Sequence, residues 1–152
     1  MKKIVLTTDT NTIEKTSVGT IIGVIYFMFN GRCFPEKGWF DFPIRLVGWW
    51  LNELLNVVLG AQNNCQFMFM DGPFSIKLEL ADKELMNAYF VKRGLKDVIL
   101  YDAQINVNSL LRTLVDNGIS LIEKIKQMDW QNEDCDYLAQ EISRAKKALK
   151  PD

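Results

Sequence analysis

The chain has 152 residues, of which 48% are hydrophobic and 24% charged, and these fractions are typical of a globular protein. They exclude a disordered, collagen-like or disulfide-scaffold chain, and since the sequence contains no internal repeat or linker we predict a single domain over residues 1–152. The 18 basic and 19 acidic residues are spread so evenly that each third of the chain lies within one charge of neutrality, which argues against nucleic-acid binding.

The N-terminal part of the chain predicts strands. Residues 4–8 form a plausible short strand, and the run Ile21–Phe29 is apolar at both parities, as expected for a strand covered on both faces. Asn30 and Gly31 then predict a type I′ hairpin turn, because that turn needs positive φ at both central positions. Arg32–Phe34 would be the returning strand.

A helix is predicted to follow. It would begin near Asp41, whose carboxylate can cap the first turn, and Pro43 suits that turn because it has no N–H to leave unpaired. Residues 44–59 are apolar over most of the helix circumference, and Gly60 is a natural stop. So wide an apolar face predicts a helix largely enclosed by protein.

Two adjacent tryptophans lie in the middle of this helix. Trp49 and Trp50 would point about 100° apart, so they cannot both face one layer. In one interpretation, one ring contacts the sheet and the other contacts the terminal helices. In the other, one of the two belongs to a binding surface, since exposed aromatic residues anchor protein interfaces.

The second half of the chain predicts more hairpins and then two helices. Four strands are expected at residues 65–70, 75–80, 85–92 and 96–102. Asn106 or Asn108 would cap the first helix, Asn132 would cap the second, and Gly118 would permit a close crossing by another element. Together these elements predict an α+β fold, with an antiparallel β-sheet built from hairpins, one buried central helix and two C-terminal helices packed on the sheet.

The sequence lacks the local motifs on which common active sites are built. It has no histidine, no glycine-rich phosphate loop and no GxSxG nucleophile motif. Cys33, Cys65 and Cys135 are odd in number and widely spaced, so we expect three reduced cysteines rather than a disulfide framework or a zinc site. We therefore predict that the protein is not an enzyme and holds no cofactor or metal.

No segment of the sequence predicts a membrane span. The longest apolar run, Ile21–Phe29, has nine residues, whereas a helix that crosses a bilayer needs about 20. We therefore expect a cytoplasmic protein with no membrane partner.

Carboxylates offer the one alternative chemistry. Glu36 and Asp41 flank an aromatic segment and loosely resemble the acid pair of a glycosidase, although a helix cap at Asp41 and a solvated Glu36 account for them more simply. Asp71 has an ordinary interpretation as a turn residue. The alternative function is thus a small-molecule-binding domain or a carboxylate-dependent enzyme with an aromatic-lined pocket.

Three short segments carry a resemblance to known proteins. They are FPEKGWFDF at residues 34–42, the WW pair in the following helix, and FMDGP at residues 69–73. This FPxxxWxDF…WW…FMDGP pattern resembles a group of uncharacterised small bacterial proteins, which are similar in size and organisation to immunity proteins of polymorphic-toxin systems. Immunity proteins bind and neutralise a cognate toxin in the cytoplasm.

The resemblance implies a non-enzymatic protein-binding protein whose partner is a cognate toxin. The matched polar and aromatic positions that it offers as partner-binding candidates are Glu36, Trp39, Asp41 and Asp71. The oligomeric state stays open at this point, and a homo-oligomer whose apolar residues seal an interface is a third possibility.

Overall fold

The first antiparallel sheet is built around one central strand. A computed structural model describes residues 3–151, and its first four strands are β1 (Ile4–Lys15), β2 (Ile21–Phe29), β3 (Arg32–Phe34) and β4 (Phe40–Asp41). The strand β2 pairs with each of the other three. The turn between β2 and β3 is the predicted one, because Asn30 and Gly31 have φ values of 52° and 78°.

The strand β1 is longer than predicted. It continues beyond residue 8 to Lys15, with an irregularity in its register between Asp9 and Glu14. Polar groups hold this irregular part against β2, since the hydroxyl of Thr12 donates to the carbonyl of Asp9 and accepts from the amide of Val24. The part of β1 after residue 8 lacks the alternation of apolar and polar residues that identifies a strand. The predicted strand therefore ended too early.

The central helix α1 runs from Pro43 to Val58 and is buried along most of its length, as predicted. Its end also agrees with the sequence, since Leu59 is the C-cap and Gly60 follows with a φ of 84°. The predicted cap is wrong. Phe42 is the N-cap residue and no side chain caps the helix, because the carboxylate of Asp41 is engaged elsewhere.

The second sheet is a simple antiparallel meander. Its strands are β5 (Asn64–Met68), β6 (Phe74–Leu80), β7 (Leu85–Lys92) and β8 (Val98–Asn106), in that spatial order. The fold class is confirmed as α+β, with antiparallel strands and packed helices. The hairpins form two sheets because α1 lies between them in the chain and packs against strands of both.

Two helices complete the fold, α2 (Val107–Met128) and α3 (Glu133–Ala148). Both predicted caps are present, since the side chain of Asn106 accepts from the amide of Ser109 and that of Asn132 accepts from the amide of Cys135. Helix α2 packs on β1, and α3 packs against α1 and α2. The crossing of α2 and α3 lies at Gly118, where an added Cβ would be 3.0 Å from a side-chain carbon of α3.

Aromatic side chains join the two sheets to α1. The ring of Phe27 on β2 lies 5.3 Å from Trp50 on α1 and 6.3 Å from Phe67 on β5. Phe34 on β3 makes edge contacts with Phe69 and with Phe90 on β7. These contacts form one continuous core, which fixes the positions of the loops discussed below.

Candidate functional site

Asp41 is the organising residue of the segments that carry the resemblance. Its side chain is only 2% exposed, and its carboxylate accepts four hydrogen bonds. One oxygen accepts from the indole N–H of Trp39 and from the amides of Met70 and Asp71, at 3.0, 3.1 and 3.0 Å. The other accepts from the amide of Phe42 at 2.9 Å. Asp41 therefore fastens residues 39–42 to the loop at 69–73.

Trp39 and Gly72 form the second contact between these segments. A Cβ added at Gly72 would lie 2.8 Å from Cη2 of Trp39, so only glycine leaves room for the indole. The indole also makes an edge contact with the ring of Phe74, with centroids 5.5 Å apart. Arg93 also contacts this loop, because its guanidinium donates to the carbonyl of Gly72. The loop is thus held by contacts with Trp39, Asp41 and Arg93.

The four predicted candidates are only partly brought together. Trp39, Asp41 and the backbone of Asp71 meet, while the side chains of Asp71 and Glu36 are exposed. Glu36 takes part through its carbonyl, which accepts from the amide of Trp39. None of the three grooves described below is lined by any of the four. The carboxylate of Asp41 therefore has a structural role in this fold.

The two adjacent tryptophans have opposite environments. Trp50 is 1% exposed, and its indole N–H donates to the carbonyl of Met68 at 3.1 Å. Trp49 is 43% exposed. Trp49 therefore lies at the surface, and the interpretation that one of the two tryptophans belongs to a binding surface stays a prediction.

Trp49 lies in a groove between α1, β5 and α3. The groove has a volume of about 540 Å³, and its lining includes five residues that we call the Trp49 surface: Trp49, Met68, Met70, Arg93 and Tyr137. The two methionines are exposed to nearly the same extent as Trp49. Clustered exposed apolar side chains of this kind mark an interaction site more often than single ones do.

The scaffold under the Trp49 surface is tightly packed. The ring of Tyr137 crosses α1 at Gly48, where an added Cβ would be only 2.9 Å from Cδ2 of the tyrosine. Met70 belongs to the loop that Asp41 fastens, and Met68 is held through its carbonyl by Trp50. These contacts present the exposed side chains on a preformed backbone, which lowers the ordering cost of binding.

A second groove adjoins this surface on the outer face of β5–β8. It has a volume of about 710 Å³ and shares Glu53 and Gln66 with the first, and we call it the polar groove. Its charged lining residues among those described are Glu53, Lys77, Glu79 and Asp97. The ammonium of Lys77 lies 3.0 Å from the carboxylate of Asp97, so the two glutamates leave an excess of negative charge.

The pKa shifts in the polar groove have local causes. The hydrogen bond from Tyr89 to Glu79 raises the pKa of the tyrosine, and partial burial and the charges of Glu79 and Asp102 act in the same direction. Burial and the charge of Glu53 raise the pKa of Cys65 to about 12. Cys65 is therefore a protonated, inert thiol at neutral pH.

Met68, Met70 and Arg93 belong to the Trp49 surface but were not among the residues predicted from the sequence. A usable signal was present for the methionines, since Cys65, Phe67 and Phe69 alternate with Gln66, Met68 and Met70 and only the first set is buried. Arg93 gave no such signal, because its contact with residue 72 depends on the pairing of β6 with β7.

Within residues 3–151, no group of three or more His, Cys, Asp or Glu side chains is placed to hold a metal ion. No helix in that range combines the length and apolarity required to cross a membrane. In comparisons with known proteins, no family model, no curated protein and no solved structure matches the chain.

Proposed function

We propose that this chain is a non-enzymatic protein-binding protein of the immunity type, which neutralises a cognate toxin in the bacterial cytoplasm. The observation that carries the proposal is the Trp49 surface, where an aromatic ring and two methionines are exposed together on a preformed backbone. The resemblance found in the sequence supports the choice of a toxin as the partner.

The chemistry of the Trp49 surface suits a protein partner. Tryptophan and arginine are enriched among the residues that dominate binding energy at interfaces, and methionine adapts its shape to an opposing surface. Here Trp49 and the methionines would enter apolar recesses of the toxin, with Arg93 at the edge of the contact. When a toxin is bound there, the surface of this chain would cover the active site or substrate groove of the toxin.

The polar groove supports the electrostatic part of the proposal. The formal charge of the whole chain is only −1, yet this groove holds three carboxylates and one lysine among the described residues. A basic toxin surface would be complementary to that local excess, and such complementarity chiefly accelerates association and selects the partner.

The test is toxin neutralisation, first with the wild-type chain and then with surface variants. The toxin is sought as the product of the neighbouring large gene, by pull-down with this chain and by survival of cells that express both. We expect Trp49→Ala to weaken binding by about 30-fold or more, because an interface anchor contributes at least about 2 kcal/mol. A Met68→Ala/Met70→Ala variant should act in the same direction.

Matched controls come from apolar residues that are equally exposed elsewhere. Met28 is 42% exposed against 43% for Trp49, and Met128 is 41% exposed, as is Met70. Met28→Ala and Met128→Ala should therefore leave neutralisation unchanged. Killing that continues in the presence of the wild-type chain contradicts the immunity function, while neutralisation by Trp49→Ala at wild-type affinity contradicts the choice of surface.

The predicted candidates can be ranked within the same assay. Asp71 and Glu36 are exposed and can contact a partner directly, whereas Asp41 is buried and acts by holding the loop. The carboxylate-dependent enzyme is less well supported, because Asp41, one member of its acid pair, already accepts four hydrogen bonds inside the protein.

A further inference from the structure

A third groove lies away from the Trp49 surface, where the ends of all three helices come together. It has a volume of about 690 Å³ and is bounded by the C-terminal ends of α1 and α3, the first turn of α2 and the turn between β6 and β7. It shares no lining residue with the Trp49 surface or with the polar groove. Its volume is in the range typical of small-molecule sites.

The lining of this groove separates into an apolar floor and a charged rim. The floor is made by aliphatic side chains from four elements: Val57, Val58, Leu80, Leu111 and Ala148. Among the described residues, the charged groups that line it are three lysines, Lys3, Lys83 and Lys150, and one glutamate, Glu84. In the described part of the groove, the rim therefore has more positive than negative side chains, above an apolar base.

The rim at Lys150 is held in place by hydrogen bonds to α2. The carbonyl of Lys150 accepts from the side-chain amide of Asn108 at 3.0 Å and from the guanidinium of Arg112 at 2.8 Å. The amide of Lys150 donates back to the side-chain oxygen of Asn108 at 2.9 Å. Three bonds thus fix the backbone of the lysine where the chain leaves α3.

The opposite rim is fixed as well. The carboxylate of Asp82 accepts from the amides of Glu84 and Leu85, and the carbonyl of Glu84 accepts from the amide of Val107. The amide of Val107, in the first turn of α2, is therefore already bonded, as is that of Ser109. The positive charge that the groove offers a ligand therefore comes from its lysines, and the amides of Val107 and Ser109 are not free to add to it.

We propose that this groove binds a small anionic amphiphile, a molecule with one carboxylate or sulfonate group on an apolar chain or ring. The apolar body would lie on the aliphatic floor, where it loses contact with water, and the anionic group would lie between Lys83 and Lys150. This inference is independent of toxin binding, because the residues involved are different.

The test compares two probes that have the same ten-carbon chain and opposite charge, decanoate and decyltrimethylammonium. Each is titrated into the ¹⁵N-labelled chain below its micellar concentration, and amide shifts are followed by NMR. We expect saturable shifts with decanoate at the residues that line the groove, with a Kd below about 1 mM, and a Kd at least about tenfold higher for the cation.

Variants then test the rim and the floor separately. Lys83→Glu/Lys150→Glu should raise the Kd of decanoate at least about tenfold, while Lys146→Glu/Lys147→Glu, the same charge change outside the groove, should leave it within about twofold. Ala148→Trp should fill the floor and abolish the shifts, with far-UV circular dichroism confirming that the chain is folded.

Three results would overturn the proposal. One is the lack of saturable decanoate binding by the wild-type chain below about 1 mM. Another is equal affinity for the anionic and cationic probes, and the third is an equal effect of the groove and control lysine variants. Because toxin neutralisation is measured separately, failure here leaves the function proposed for the Trp49 surface untouched.

Discussion

Replacing Asp41 gives the sharpest test of how this fold is held together. Asp41→Ala removes the acceptor of four hydrogen bonds, which come from the indole of Trp39 and from the amides of Phe42, Met70 and Asp71. Since the site is 2% exposed, water cannot replace the carboxylate without movement of the loop. The loop at 69–73 must then either open or keep unpaired donors inside the protein.

The expected loss in the free energy of unfolding follows from the number of donors that lose their acceptor. A hydrogen bond to a charged group contributes about 1.5–3 kcal/mol, but bonds that share one acceptor are not additive, because the loop relaxes once the acceptor is lost. We expect Asp41→Ala to lower the free energy of unfolding by about 3–4 kcal/mol, or the melting temperature by roughly 6–16 °C for a chain of this size. Asp41→Asn should lower the free energy of unfolding by less than Asp41→Ala, because the carbonyl oxygen of asparagine still accepts hydrogen bonds. Part of the loss should remain, since the NH₂ group of asparagine would face a donor.

The assay is urea unfolding followed by tryptophan fluorescence and by circular dichroism. Glu36→Gln and Asp71→Asn are the matched controls, because both carboxylates are exposed and the amide of Asp71 is retained. Each control should change the free energy of unfolding by less than about 0.5 kcal/mol. If Asp41→Ala unfolds within about 1 kcal/mol of the wild type, the four hydrogen bonds do not hold the loop as argued.

Three further predictions concern the thiols and the two helix crossings at Gly48 and Gly118. Iodoacetamide at pH 8 should alkylate the partly exposed Cys33 well before Cys65, because the thiol of Cys65 is buried and has a pKa of about 12. Equal alkylation rates by mass spectrometry would refute this prediction. Unfolding in urea should remove the difference in rate. Because the pKa of Cys65 is raised from its ordinary value of 9.0, the unfolded chain loses its thiol proton first, so the free energy of unfolding should fall as the pH rises from about 9 to about 12. This part of the fall should be missing in Cys65→Ala. Gly48→Ala should destabilise the chain by about 1–2 kcal/mol despite its better helix propensity, since the added methyl meets the ring of Tyr137. Gly118→Ala should lower the free energy of unfolding by less in the same urea assay, because there the added methyl meets the flexible end of an isoleucine side chain.

The features that the sequence predicted correctly depend on local chemistry. The turn at Asn30 and Gly31 follows from the φ values that two adjacent residues tolerate, and the caps at Asn106 and Asn132 require only a side chain and an amide three residues later. The fold class was also predicted from the sequence, because segments with the alternation of a strand and segments with the periodicity of a helix follow one another along the chain.

The features that the sequence did not predict depend on residues distant in the chain. Asp41 is of a residue type that often caps helices, but its carboxylate accepts from amides 29 and 30 residues later in the chain. Nothing in the local sequence distinguishes these two roles. The residues that surround Trp49 were not predicted for the same reason, although a tryptophan of α1 was one of the candidates for a binding surface. They come from β5, the loop at 69–73, α3 and the segment after β7, and only the packing of these elements brings them together.

Neighbouring residues in this fold have opposite environments. Trp50 and Phe69 enter the core, while Trp49 and Met70, each one position away, expose apolar surface to water. Trp49 is two-fifths exposed and thus more than half buried, so Trp49→Ala should lower the free energy of unfolding by about 1–2 kcal/mol. A large loss of binding by a variant that circular dichroism shows to be folded is therefore the result that assigns Trp49 to the interface. If the folded variant bound the partner as tightly as the wild type, Trp49 would serve only the packing of α1, and the polar groove alone would have to account for recognition of the partner.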